Sequence, residues 1–533
     1  MKREKETKND LSRRDFIKTT AVGVGATALA GLSSAEAKAA PLPQKWDKEA
    51  DVVVAGYGLG GMCAAIEAHD AGAKVLILEK APKGREGGTC RASGQFLLAP
   101  PPELEEAMYE YLRNQDYRHV IDEDVHRAVA AELVKVEPWI LSLGGETYPA
   151  LVGGSPYPAV WNVPGKEACV RKFVNSPTSG NAIGWSFFDS VVKSQGIEIL
   201  YSTPAKSLVA TAEGEVLGVK VESEGWDKYI KARRGVVLAT GGFEANQEML
   251  KGYALSPMYY HGCPYDTGDG YIMAQALGAE FLAMDNILAP TGPCLKVPDF
   301  EASFQIAFPA NSVIYVNKFG QRFINEFKPN TYGYDWHDIL LFSKEKMTFP
   351  QAPWYAIFDQ IVMDAGPICS GTSGWNLIVE GYKWSSNNQT ELAKGWIQQA
   401  NTLDAVATAI AQLPSNEGKM QSSTLSTTVQ AYNTACANKN DPQFGRPADR
   451  LVPISGPPYY FMELWPRLHA MQGGPKRDAK ARIINVRGKV IPRLYSVGEM
   501  GSWWGSGYDG GFCEGVPSGR IAGRNAAAET PWS

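Results

Sequence analysis

Three glycines and one acid carry the plainest chemistry in the chain. Gly56, Gly58 and Gly61 stand as G-x-G-x-x-G inside "DVVVAGYGLGGMCAAIEAHDAGAKVLILEK", which closes on Glu79 and Lys80. The first glycine permits a tight turn, the second lets backbone approach a pyrophosphate, and the third lets a helix pack closely on a strand. The free N–H groups and the dipole at that helix's start favour an anion. Glu79 lies where an acid accepts hydrogen bonds from a ribose. These residues predict dinucleotide binding, provided the right elements hold them. "DVVVAG" reads as a buried strand, "GMCAAIEAHDAG" as a helix with small residues toward a sheet, and "KVLILE" as the next strand. A second stretch, "GSWWGSGYDGGFCEG", sets Trp503, Trp504 and Tyr508 among glycines. Aromatics so placed line a pocket for a flat ligand or pack as core.

The chain has 533 residues, enough for two large domains. Hydrophobic residues at 44% and charged residues at 20% give the composition expected of an ordinary soluble protein. With a net charge of −5 and no basic stripe, nucleic acid is not an expected partner. "SRRDFIK", then "TTAVGVGATALAGLSS", then the small-residue sites at Ala37 and Ala39 read as a twin-arginine signal peptide over residues 1–39. That apolar run is too short and too rich in Gly and Ala to span a membrane, and no second run follows. The expectation is a periplasmic or otherwise extracytoplasmic protein, exported folded with its redox cofactor and without a membrane span once the signal is cleaved. The eight Cys are scattered, with no C-x-x-C, so neither a zinc pair nor a haem attachment is expected, and no metal site is assigned.

Three further segments decide which dinucleotide. "GREGGTCRASGQF" (Gly84 to Phe96) follows the ribose acid; it contains Gly88, Thr89, Ser93 and Gly94. "GVVLATGGFEAN" (Gly235 to Asn246) is another strand, ending at Thr240 and Gly241. "VIPRLYSVGEMGS" (Val490 to Ser502) places Glu499 after a strand. In this order, from Asp51 to Ala528, the segments resemble the fumarate reductase/succinate dehydrogenase flavoprotein family, which includes soluble flavocytochromes, urocanate reductases and 3-ketosteroid dehydrogenases. The resemblance implies FAD, with Gly511 starting a helix beneath the flavin ring. Members that bind FAD covalently use a His in the first of these loops. None stands here, so non-covalent FAD is expected.

The resemblance also weighs the catalytic candidates. Fumarate reductases place a proton-donating Arg five residues past the Asn of "RFxNE"; here Asn330 stands five past Asn325. Ketosteroid dehydrogenases carry a Tyr near that place, and Tyr332 and Tyr334 lie just beyond it. A phenol with a pKa of about 10 donates a proton when its neighbours tune it. The His pair of "HHTMGG" becomes His469 and Ala470 in "LHAMQGG", and the Arg of the last loop becomes Tyr508. With Trp503 and Trp504 beside it, Tyr508 implies a flat, neutral or weakly polar ligand. Lys296, Arg467 and Arg493 remain available charges that the sequence does not place, and His261 is a weaker candidate than His469.

The resulting expectation is an α/β fold: a Rossmann-like FAD-binding domain (50–246 and 451–533) interrupted by an α+β capping domain (247–450). "SVIYVNKFGQRFINEF" predicts two strands around a Gly turn, and 351–449 reads as largely helical, with "TELAKGWIQQANTLDAVATAIAQL" a principal helical stretch. The function expected is FAD-dependent reduction of an activated C=C bond in a small unsaturated molecule. Tyr332 or Tyr334 would be the acid, Tyr508 the carbonyl contact and His469 a further site residue. A separate cytochrome c or flavoprotein would supply electrons in anaerobic respiration. The alternatives are a 3-ketosteroid-type dehydrogenase and a silent flavin-binding subunit.

Overall fold

The computed structural model describes residues 40–533, apart from 153, 179, 181, 255–256, 290, 328–337, 370–374, 502, 504 and 506–509. The expected signal peptide, Tyr332, Tyr334, Trp504 and Tyr508 lie outside the described residues.

The first sheet begins with β1 (Lys48–Ala55), whose last four residues are buried. Helix α1 (Leu59–Asp70) follows, buried from Leu59 through Ala68, and leads to β2 (Val75–Leu78), buried throughout. Continuous apolar runs of this kind belong to parallel strands covered on both faces. Further on come β3 (Glu198–Leu200) and the long β4 (Trp226–Leu238). β3, β2, β1 and β4 lie side by side, each pair parallel. The first half of β4 also pairs antiparallel with Val216–Ser223, which extends the same sheet.

Past Leu238 the chain leaves this sheet and builds a second, seven-stranded one. There β5 (Tyr259–Tyr260) pairs parallel with β7 (Tyr459–Leu468), and β6 (Trp354–Phe358) pairs antiparallel with β7. The second sheet therefore draws in a strand that lies beyond residue 450, the boundary expected from the sequence. The chain then returns: β8 (Val490–Ser496) pairs parallel with β4, and α2 (Gly511–Ala528) closes the fold.

Two readings of the middle of the chain need correction. The second strand expected at 321–327 is reduced to one isolated bridge, Val316 to Arg322. Arg322 binds Glu326 through two hydrogen bonds of 2.8 Å, four residues on, and this curls the backbone into turns. The same Arg meets Asp441 at 2.8 Å, and Arg446 also reaches Glu326. All four charges are buried, so each depends on the others for solvation. The helical stretch expected at 390–413 is broken as well. Helices Gln389–Ala393 and Leu403–Ala411 flank a strand, Gln398–Ala400, because Gly395 turns the chain in a left-handed conformation and Gln398–Ala400 then adds to β7. The buried strand β6 lies in the same region, so 351–449 is mixed rather than largely helical.

The packing that most constrains the first sheet is between α1 and α2. Gly515, Gly519 and Gly523 recur every four residues and so form one stripe of α2. A Cβ on Gly519 would stand 2.5 Å from the Gly60 carbonyl oxygen, and one on Gly523 would stand 2.3 Å from that of Ala64. The helix backbones touch there, with no room for side chains. Replacing Gly519 with Val should lower the unfolding free energy by about 1–3 kcal/mol or more. Urea unfolding of the purified protein measures this; unchanged stability would show that the helices can part at no cost.

Candidate active site

A cleft of about 400 Å³ opens at the carboxyl ends of β1, β2 and β4, the usual ligand position in a doubly wound sheet. Its floor is the turn from β1 into α1. Gly56 holds φ at +114°, and a Cβ there would lie 2.1 Å from the Ala239 carbonyl oxygen, so only glycine makes this turn. The N-cap of α1, Gly58, supplies no side chain and the first turn holds no acid, while the Leu59 amide donates to Cys90 Sγ at 3.2 Å. Glu79, at the end of β2, accepts hydrogen bonds from the Tyr57 and Ala81 amides, at 2.9 and 2.6 Å. Burial pushes its pKa up to about 7 against the pull of those two amides. Lys80 spans to Asp269 at 2.8 Å. Thr89 donates to Asp266 at 2.7 Å and accepts from the Cys263 amide at 3.0 Å.

Three acids meet beside this floor, Glu244 and Asp266 buried and Glu499 half-buried. The carboxylates of Glu244, Asp266 and Glu499 lie within 4.8 Å of one another. Burial raises all three pKa values, that of Glu244 to about 7, and crowding of like charge adds to the rise at Asp266 and Glu499. Carboxyl groups this close in a dry site stay partly protonated, which spares the cleft wall a concentrated negative charge.

The far end of the cleft is built by the second sheet. β5 and β7 run parallel with Tyr260 opposite Leu468, so the next residues, His261 and His469, come side by side. Their rings lie 4.5 Å apart, with Nδ1 of His469 3.0 Å from Nε2 of His261. Nδ1 of His261 lies 3.3 Å from the Leu468 carbonyl oxygen. A carbonyl only accepts, so His261 donates from Nδ1 and accepts at Nε2. His469 therefore donates from Nδ1, and its Nε2 is left as an acceptor. Burial lowers both pKa values, that of His469 to about 3, with the nearby Arg467 guanidinium as the second cause. Arg467, Gln305, Phe96 and Tyr157 line the same cleft, and the last two rings pack 5.1 Å apart.

Of the residues singled out from the sequence, Gly56, Gly58, Glu79, Lys80, Gly88, Thr89, Ser93, Gly94, Thr240, Gly241, Glu499, Gly511 and His469 all line this one cleft. Gly61 instead faces the strand turn, where a Cβ would stand 2.2 Å from the Gly56 carbonyl oxygen. Trp503 is core: it is 2% exposed, with Arg477 stacked 4.6 Å from its ring centre. Sequence reasoning rated His261 low and left Arg467 unplaced. Only the register of β5 on β7 brings them together, and "YYH" and "RLH" carry no local mark of it.

A doubly wound sheet whose glycine turn opens into a cleft at the strand ends defines a dinucleotide-binding protein. The chain matches the FAD binding domain family over residues 51–514 and belongs to it. A twin-arginine translocation signal sequence matches residues 10–30 and directs export by that pathway. No helix among the described residues is long and apolar enough to cross a membrane. The chain is 29% identical to digoxin reductase of Eggerthella lenta, over 98% of each protein. It is 26% identical to urocanate reductase of the same organism, over 92% of this chain and 77% of that one. Its fold matches 3-ketosteroid Δ1-dehydrogenase from Sterolibacterium denitrificans at a TM-score of 0.70, with 22% identity over 90% of this chain and all of that one. The protein is an FAD-dependent oxidoreductase acting on CH–CH or C=C groups.

The cleft fits FAD on its own evidence. A Cβ on Gly58 would meet the Gly87 carbonyl oxygen at 3.8 Å and Cys90 Sγ at 3.9 Å, ordinary contacts, so the turn itself tolerates a side chain although Gly58 lines the cleft. The Thr240 hydroxyl lines the cleft, buried and without a hydrogen-bond partner among the described residues. Replacing Gly58 with Val should therefore leave the apoprotein folded but weaken FAD binding about tenfold or more. Flavin absorbance after reconstitution, read beside the urea midpoint, measures both. Full FAD binding by the variant would place the pyrophosphate elsewhere.

Proposed function

We propose that this chain is a reductase of an activated C=C bond of the enone or aryl-acrylate type, and not of fumarate. The observation that carries the reading is the continuity of the cleft, from the glycine turn to the Arg467–His469 wall. A dinucleotide's reactive ring and a small substrate thus share one chamber. The likeness to digoxin reductase and urocanate reductase supports the same reading. FAD, when bound, would supply the hydride that the β-carbon of the substrate requires.

The chain's own residues would do the rest. Tyr332, or Tyr334 after it, would give a proton to the α-carbon. Tyr508 and neighbouring amides would hold the carbonyl oxygen as negative charge develops on it. Gly56, Gly58, Glu79, Thr89, Thr240, Glu499 and Gly511 would hold the cofactor. Residues 50–246 and 451–533 would form the cofactor-binding part. Residues 247–450 would form a cap that excludes water during transfer. FAD would be held non-covalently. No His stands between Gly84 and Phe96, and the Cys90 thiol is turned to the Gly87 carbonyl at 2.7 Å, its pKa raised by burial. Electrons would come from a separate cytochrome c or flavoprotein, since the chain has no haem-attachment motif.

A second reading runs the reaction backwards, as a ketosteroid-type dehydrogenase. The tyrosines named above support it, since a phenol beside a substrate carbonyl can take a proton as well as give one; His469, with its pKa lowered to about 3, would not be the base.

The test uses FAD-loaded protein reduced by dithionite without oxygen. Cinnamate or benzalacetone should restore the oxidised flavin spectrum rapidly, and fumarate should not. Rapid oxidation by fumarate, or none by the other two, would overturn the reading. Replacing Tyr332 with Phe should slow that oxidation by about 10²-fold or more if its hydroxyl is the acid. An unchanged rate would remove Tyr332 from the mechanism.

A further inference from the structure

The cleft holds two cations of different standing. Lys80 is neutralised by Asp269 at 2.8 Å. Arg467 pairs with no carboxylate among the described residues. It leaves β7 two residues before His469, so the two side chains project from the same face of the chain. Its Nε donates to the Thr291 hydroxyl at 2.8 Å, and one terminal nitrogen donates to the Thr291 carbonyl. The other terminal nitrogen, Nη1, has no acceptor among the described residues. The guanidinium is therefore fixed in orientation but left with unused donors at the cleft wall.

The neighbours do not cancel this charge. His261 and His469 are both neutral, and Gln305 is uncharged. The acids nearest the cofactor floor are occupied: Asp269 with Lys80, and Asp266 with Thr89. A half-buried guanidinium without a carboxylate, held at a cleft wall, is stabilised when a ligand supplies the opposite charge. Its planar fork suits a carboxylate, which accepts charge-assisted bonds of a strength that a neutral ketone does not match. One arginine provides for one carboxylate, and the Phe96–Tyr157 pair offers apolar contact to the remainder of the ligand.

We propose that Arg467 is the specificity-determining residue of the cleft, anchoring the carboxylate of an aryl-acrylate substrate in preference to a neutral enone. The proposal rests on the reading of the cleft as a C=C reductase site and deepens it.

The test separates the two. Oxidised, FAD-loaded protein is titrated with 3-phenylpropanoate, which has no double bond to reduce, and with 4-phenylbutan-2-one, its neutral counterpart. Perturbation of the flavin spectrum gives each dissociation constant without turnover. Replacing Arg467 with Gln should weaken 3-phenylpropanoate by about 10- to 100-fold and leave the ketone within about twofold. Arg467→Lys should recover part of the loss. FAD content equal to that of the unaltered protein shows that both variants are folded. Equal effects on the two ligands, no effect on the carboxylate, or no carboxylate binding by the unaltered protein would overturn the proposal. If the binding difference holds while reduced enzyme ignores cinnamate, Arg467 keeps its role and the reductase reading falls instead.

Discussion

The whole arrangement depends on backbone contact between two helices. α1 and α2 cross where Gly60 and Ala64 meet Gly519 and Gly523, with no side chain between them. That contact brings two helix starts to the same cleft, one at Gly58–Leu59 and one at Gly510–Gly511. Each presents backbone N–H groups and the positive end of a helix dipole. Neither N-cap residue, Gly58 or Gly510, has a side chain to occupy them, although the Leu59 amide donates to Cys90 Sγ. An FAD-binding protein needs such donors at its phosphates, and here close helix packing supplies them. A single methyl group at 519 would part the helices and move one start relative to the other.

Charge in the cleft follows one rule, that burial drives titratable groups neutral. Glu79, Glu244, Asp266 and Glu499 are held toward the protonated state, and His261 and His469 toward the unprotonated one. Arginine is the side chain that does not yield in this way. Burial lowers the Arg467 pKa only to about 10, so it stays charged at neutral pH. With Lys80 matched by Asp269, Arg467 is the cleft-lining cation left without a carboxylate among the described residues, and a ligand's negative charge would be felt there.

The cofactor end was legible in the sequence because its determinants are local. The strand, glycine turn, helix and acid lie within thirty residues, and each glycine has a steric reason visible in the pattern. The substrate end was not. His261 and His469 meet through strand pairing across 208 positions, and a register of that kind leaves no periodic trace. The hairpin at 312–327 was misread for a related reason: Arg322 and Glu326 look like surface polar residues until Asp441 and Arg446 arrive from far along the chain to bury them. For Trp503 the sequence leaves pocket and core both open; Arg477 stacks over it and it is core.

The most direct test of the account is the flavin itself. The protein, purified in its folded state, is assayed for flavin per chain, then precipitated with acid, and both fractions are examined. The account predicts one FAD for each chain, all of it in the supernatant. Colour left in the pellet would contradict non-covalent binding. A folded protein that takes up no FAD would contradict the cleft as described.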